Sequence, residues 1–479
     1  MKTKILLLVA VLAALPLSLR AGALGEILQK ILRGSETATE EPDHSAHVRG
    51  APIPAGENAF TAKNRNTLHL AWCERTMLDA YRKTTDATPA VEGFIEMGIS
   101  YLVDDDTAPP VQVLVQSANA LITTGAHDPL FLLLAAIPWN DANKQVELLS
   151  RAAPAFASSS YPKAIQFVAS ANLGKALHDT RADAAMIEDN DQKSLGLLRE
   201  MLGEFSEEEM PVLRWRLNQA YSGLDLFSRK HAEVCAALEG SPHVAPWLVH
   251  SMEGVRFVDD AWRARGTGYA HTVKAQGWKG FEENIAFARE HLVKSWELNP
   301  KDPAAAAEMI TVCMAESEEK EPMRLWFDRA VAAQMDYLPA YQKMRWGLRP
   351  RWLGNHAEML LFGEDARAVN RYDTLVPYQY IAAVREISSD AEDGGAIFSR
   401  DDIYKNLQAV LAGYIAAPHP EQRLTYTRTL AAIFAYKAGH LDEARRHMQA
   451  IGHKPDQAPD LAKLENLPAM LQKLTAPAP

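Results

Sequence analysis

The sequence predicts an all-α fold of helical hairpin repeats forming an α-solenoid. Three observations carry that expectation. Apolar residues recur at three- and four-residue spacing in segment after segment. No two segments alternate apolar and polar residues as paired strands would. In the second half, small and bulky apolar residues followed by a proline return in a fixed order, the mark of stacked repeats. The 479 residues leave room for such an array, at about 100–200 residues per domain. With 47% hydrophobic and 23% charged residues, the chain can build a core and is not disordered as a whole. Three cysteines exclude a disulfide framework and any four-cysteine metal site. A net charge of −11 argues against a nucleic-acid partner.

The elements follow in chain order. Lys2 and Lys4 precede an apolar run from Ile5 to Leu15, and Ala21-Gly22-Ala23 follows. Residues 1–23 therefore read as a secretory signal peptide, whose apolar run is shorter than the ~20 residues that span a bilayer. Its removal takes away Lys2, Lys4 and Arg20 but no acid, leaving a charge of −14. No later stretch is apolar for ~18 residues. The expectation is an exported chain, periplasmic or secreted, with no stable membrane insertion after cleavage. Residues 24–60 read as a short helix (Leu24, Ile27, Leu28, Ile31, Leu32) and a flexible linker rich in Ser, Thr, Glu and Pro, too polar to offset its ordering entropy.

The body divides into regions 61–226, 227–380 and 381–474, with a disordered tail over 475–479. Leu68, Leu70, Ala71, Met77, Leu78 and Tyr81 predict a first helix, and 90–104 a second that stops at Asp104-Asp105-Asp106. Val111–Gln116 alternates briefly, but Ala118, Ala120, Leu121 and Ile122 follow without a break. A helix starting at Pro109-Pro110 fits better than an isolated strand. Gly125 closes it, Asp128 caps the next helix and Pro129 takes its first position. Helices over 141–152, 162–177, 191–204 and 207–226 follow, with breaks near Asn140, Pro154, Asp179 and Glu204. Ser206 and Glu209 have capping-box spacing. Asp189-Asn190-Asp191 begins like a calcium loop but lacks the later glycine and glutamate. It reads as a cap for the following helix.

Ala288, Leu292 and Pro300 stand in the order of the second half of a tetratricopeptide unit. Trp326, Phe327, Ala330 and Pro339 make a looser copy. Ala435, Gly439, Leu441, Ala444, Met448 and Pro455 make a better one. A polar link runs from Ser388 to Ser399, and Ser399, Asp401 and Asp402 open a helix.

At Leu348-Arg349-Pro350-Arg351-Trp352-Leu353-Gly354-Asn355 the chain resembles an uncharacterised group of bacterial exported helical-repeat proteins. In that group an aromatic, a Pro-Arg-Trp and a Gly-rich turn precede a helix, which here carries Met359 and Phe362. Gly125–Leu130 and Leu298-Asn299-Pro300 share the resemblance, which covers about residues 110–365. Leu353 stands where the pattern has glycine. The resemblance implies a tetratricopeptide-like fold and no assigned activity.

Chemistry leaves few marks. Asp43, His44 and His47 offer three metal donors, but in a linker with nothing to orient them, so no metal site is expected. His440 and His447 are about two helical turns apart, too far for one ion. Nucleotide, serine-hydrolase and zinc-protease motifs are absent, and no cofactor is expected. Cys73, Cys235 and Cys313 sit in apolar surroundings and read as buried thiols; a Cys235–Cys313 bridge stays open.

Two functions compete. The first is a non-catalytic interaction scaffold that binds a protein partner through Arg345, Trp346, Arg349, Arg351 and Trp352, since Arg and Trp dominate binding hot spots. The second is a helical glycan hydrolase with Glu253, Asp259 or Asp260 as acid or base and Trp262 as a platform for sugar.

Overall fold

The computed structural model describes residues 50–475, except 86, 106, 223–225, 269, 317–319, 392–393 and 419–420. The segments read from the sequence as a signal peptide, a short helix and most of the linker, with Asp43, His44 and His47, lie outside the described residues, as do residues 476–479. The described fold is all-helical, with no strand among the described residues. Val111–Thr123 is a helix, which settles the brief alternation at its start.

The described residues pack as two units, one within 54–316 and 326–340, the other within 50–53, 320–325 and 341–475. These bounds differ from the three regions read from the sequence. In the first unit α1 (Ala62–Cys73) runs on through a π-helical turn, Glu74–Leu78, and a last turn, Asp79–Tyr81. Then come α2 (Pro89–Val103), α3 (Val111–Thr123), α4 (Pro129–Ala136), α5 (Ala142–Ala157), α6 (Lys163–Asp179) and α7 (Ala184–Met201). They are followed by α8 (Met210–Ser222), α9 (Leu226–Glu239), α10 (Pro246–Arg265), α11 (Ala275–Leu298) and α12 (Pro303–Ala315). Successive helices pack on one another from α4 to α7 and from α9 to α12. Phe94, Phe131, Phe156, Phe167 and Phe227 are fully buried in one continuous apolar cluster.

The residues of α13 (Lys320–Ala333) and α14 (Leu338–Gly347) are divided between the units. The second unit continues with α15 (His356–Arg367), α16 (Tyr378–Asp390), α17 (Asp401–Ala416), α18 (Glu421–Lys437), α19 (Leu441–Ala450), α20 (Pro459–Leu464) and α21 (Leu467–Thr475). The pairs α15–α16, α17–α18 and α18–α19 pack closely, around Tyr341, Phe362, Tyr380 and Phe398.

Local chemistry explains most boundaries. Asp104 closes α2 in the left-handed conformation, φ 56°. Asp128 accepts from the amides of Leu130 and Phe131, and Pro129 opens α4. Ser206 and Glu209 form the capping box ahead of α8. Gly439, at φ 84°, makes the turn between α18 and α19. Two readings are corrected. Pro154 does not end a helix: α5 continues to Ala157, because burial of Ala152 and Phe156 outweighs one lost backbone bond on the exposed face. Asp189–Asp191 is not a cap: it lies inside α7, which Asp183 caps. Asp191 is buried there and accepts two 2.8 Å bonds from Arg229.

Candidate functional site

The segment 345–352 forms the corner between α14 and α15. Its turn is closed by backbone bonds from Trp352 N to Arg349 O (2.9 Å) and from Leu353 N to Gly347 O (3.0 Å). A Cβ at Gly354 would lie 2.3 Å from Leu348 O, so only glycine fits there. Asn355 then caps α15 through the amide of Glu358, 3.0 Å.

The five predicted residues have different surroundings. Arg345 is buried and donates to Glu386 at 3.0 Å and to Gln379, both on α16. Arg349 is buried too, with Glu386 and Asp390 each at 3.6 Å. Trp346 is 41% exposed. The guanidiniums of Arg349 and Arg351 each lie over its ring, 4.5 Å from the centroid. Arg351 is exposed and makes no ion pair among the described residues. Trp352 is half-buried. Arg345 and Arg349 thus tie the corner to α16, while Trp346 and Arg351 face outward.

Sequence reasoning missed Gln379, Glu386 and Asp390, which lie more than thirty residues downstream and carry no motif. It also missed His356 beside them. Burial holds that imidazole below its ordinary pKa, with Asp390 opposing the shift and Arg349 adding to it. Glu358, also buried, pairs with Lys320.

The hydrolase candidates lie on α10. Arg256 donates to Glu253 at 2.7 Å and to Asp260 at 3.0 Å, so the two carboxylates are a guanidinium's width apart. Asp259 faces His231 at 3.6 Å. Trp262 packs edge-on against Phe281 of α11, centroids 5.0 Å apart.

The Arg–Trp contact recurs elsewhere. Arg216 lies between Trp72 and Trp215 (4.6 and 4.2 Å). Arg265 lies between Trp262 and Trp278 (5.7 and 5.2 Å). Arg329 lies 4.2 Å from both Trp296 and Trp326. Only at the α14–α15 corner is the clasped indole itself so exposed. All three cysteines are buried, and none is in a disulfide. Among the described residues no group of three or more His, Cys, Asp or Glu could hold a metal ion. No described helix is long and apolar enough to cross a membrane. No protein-family model matches the chain, and no curated protein matches it.

Proposed function

We propose that this is an exported interaction scaffold, built of tetratricopeptide-like hairpins stacked as an α-solenoid, which binds a protein partner and catalyses no reaction. One observation carries the binding site. Trp346 is an exposed indole with two guanidiniums over its ring, and one of these, Arg351, has no carboxylate partner among the described residues. A partly exposed indole beside an exposed guanidinium is the chemistry of a binding hot spot. Its support is already rigid, since Arg345 and Arg349 are fixed by Glu386 and Asp390, so little entropy is lost on binding. The partner this surface suits offers a carboxylate to Arg351 and an apolar or aromatic group to Trp346.

Several features support the hairpin reading. Ala288 and Leu292 are buried in α11 and Ala444 and Met448 in α19, the positions that the repeat pattern assigns to the helix interface. The same reading places the chain with the exported helical-repeat group it resembles. The hydrolase reading has Arg256 between two of its acids to contend with.

The test is retention of a partner from extract of the source cell on the immobilised chain. Trp346→Ala/Arg351→Ala should lose a species that the parent and Met186→Ala, altered at another exposed apolar residue, both keep. Equal retention by all three contradicts the assignment.

A further inference from the structure

Helices α10 and α11 bring His250 and His291 face to face. Their Nδ1 atoms are 3.2 Å apart, their ring centroids 5.1 Å apart, and their planes inclined at 57°. Both rings are half-buried. Phe257 closes one side, its ring 5.5 Å from that of His291. We infer that His250 and His291 form a two-imidazole chelate for a borderline divalent transition-metal ion such as zinc or copper(II), with water completing the coordination.

The distance is the argument. Imidazole nitrogens bind zinc at about 2.0–2.1 Å, so two nitrogens 3.2 Å apart subtend about 100° at a shared ion. That lies between square and tetrahedral coordination, the geometries copper(II) and zinc adopt. Without an ion, one Nδ1 must donate to the other, so the pair holds unlike tautomers. On binding, the donor ring carries its proton on Nε2 instead, both Nδ1 lone pairs reach the ion, and no net proton is released. The pair is held in place from both sides. Gly254, one turn after His250, lets α10 lie directly on Leu292, the neighbour of His291: a Cβ there would be 2.5 Å from Leu292 Cγ.

The test uses the full chain with His44→Gln/His47→Gln throughout, so that the linker histidines cannot answer for the pair. Calorimetry with zinc chloride should give one strong site. His250→Gln or His291→Gln should each weaken it at least about tenfold, the loss seen when even an outer-shell partner is removed. Copper(II) bound to the parent should show two imidazole nitrogens by electron paramagnetic resonance, and one in either single variant. Helical circular dichroism checks that the variants fold, and the parent spectrum stands without them. Unchanged zinc affinity in folded His250→Gln/His291→Gln, or a parent spectrum without the two-nitrogen pattern, overturns the inference.

Discussion

Arg345, Arg349 and Arg351 lie within seven residues, yet the fold uses them in two ways. Arg345 and Arg349 answer Glu386, which is half-buried, and Asp390 on α16; Arg351 lies over the ring of Trp346. Removing one member of a buried pair leaves the other charge uncompensated. Arg345→Leu should therefore cost about 2–3 kcal/mol, at the low end for such pairs because Glu386 keeps some contact with water. Arg351→Ala should change stability by less than about 0.5 kcal/mol. Urea unfolding of the two variants checks both. The sequence showed the density of Arg and Trp here but not this division, because the acids that decide it come from another helix. A second prediction concerns pH. His69 is stacked on Trp215, centroids 4.2 Å apart. Burial, helped by Arg65 and Arg216, holds its pKa at about 3 against an ordinary 6.5; burial likewise holds His231 at about 4. The unfolded chain takes up these protons below pH 6.5 and the folded chain does not, so stability falls as pH drops from 6.5 toward 3 and is unaffected above that window. His69→Phe, which keeps an aromatic ring against Trp215, should flatten that loss in denaturation midpoints measured from pH 7 to pH 4.

Helices whose ends are set by neighbouring residues were legible. Asp128 with Pro129, and Ser206 with Glu209, mark starts that the structure reproduces, because a cap and the amides it satisfies are two or three residues apart. Ends set from a distance were not. The start of α6 is capped by Glu204, which accepts from Lys163 N at 2.7 Å and Ala164 N at 3.0 Å across about forty residues. Glu204→Ala should cost about 1 kcal/mol, the usual loss for an N-terminal cap, read as a shift in thermal midpoint. The contact of α10 with α11 depends on the missing side chain of Gly254. Gly254→Ala would press a methyl group into Leu292 and should cost about 1–3 kcal/mol through overpacking, measured by urea unfolding. If the His250–His291 pair needs this approach, the same substitution also weakens zinc binding.

Among the described residues, at least seven of the ten tryptophans lie against an arginine. Such contacts occur about once per 70–80 residues in ordinary proteins, so this acidic chain uses arginine as packing material as well as charge. The all-helical class was legible because helical periodicity is local. The Arg–Trp pairs were not, since Trp72 and Arg216 are brought together only by tertiary packing. Their prevalence matters to the proposed function: an Arg–Trp cluster is by itself structural here, and the α14–α15 corner differs because its indole is exposed. The most direct test of that distinction is site-specific photo-crosslinking in the source cell. A photoreactive phenylalanine analogue is placed at Trp346, and separately at buried Trp326 and exposed Met186. A discrete crosslinked protein at position 346, absent at 326 and 186 and lost with Arg351→Ala, is the predicted result. A crosslink pattern at 346 no different from that at 186 would contradict the scaffold account.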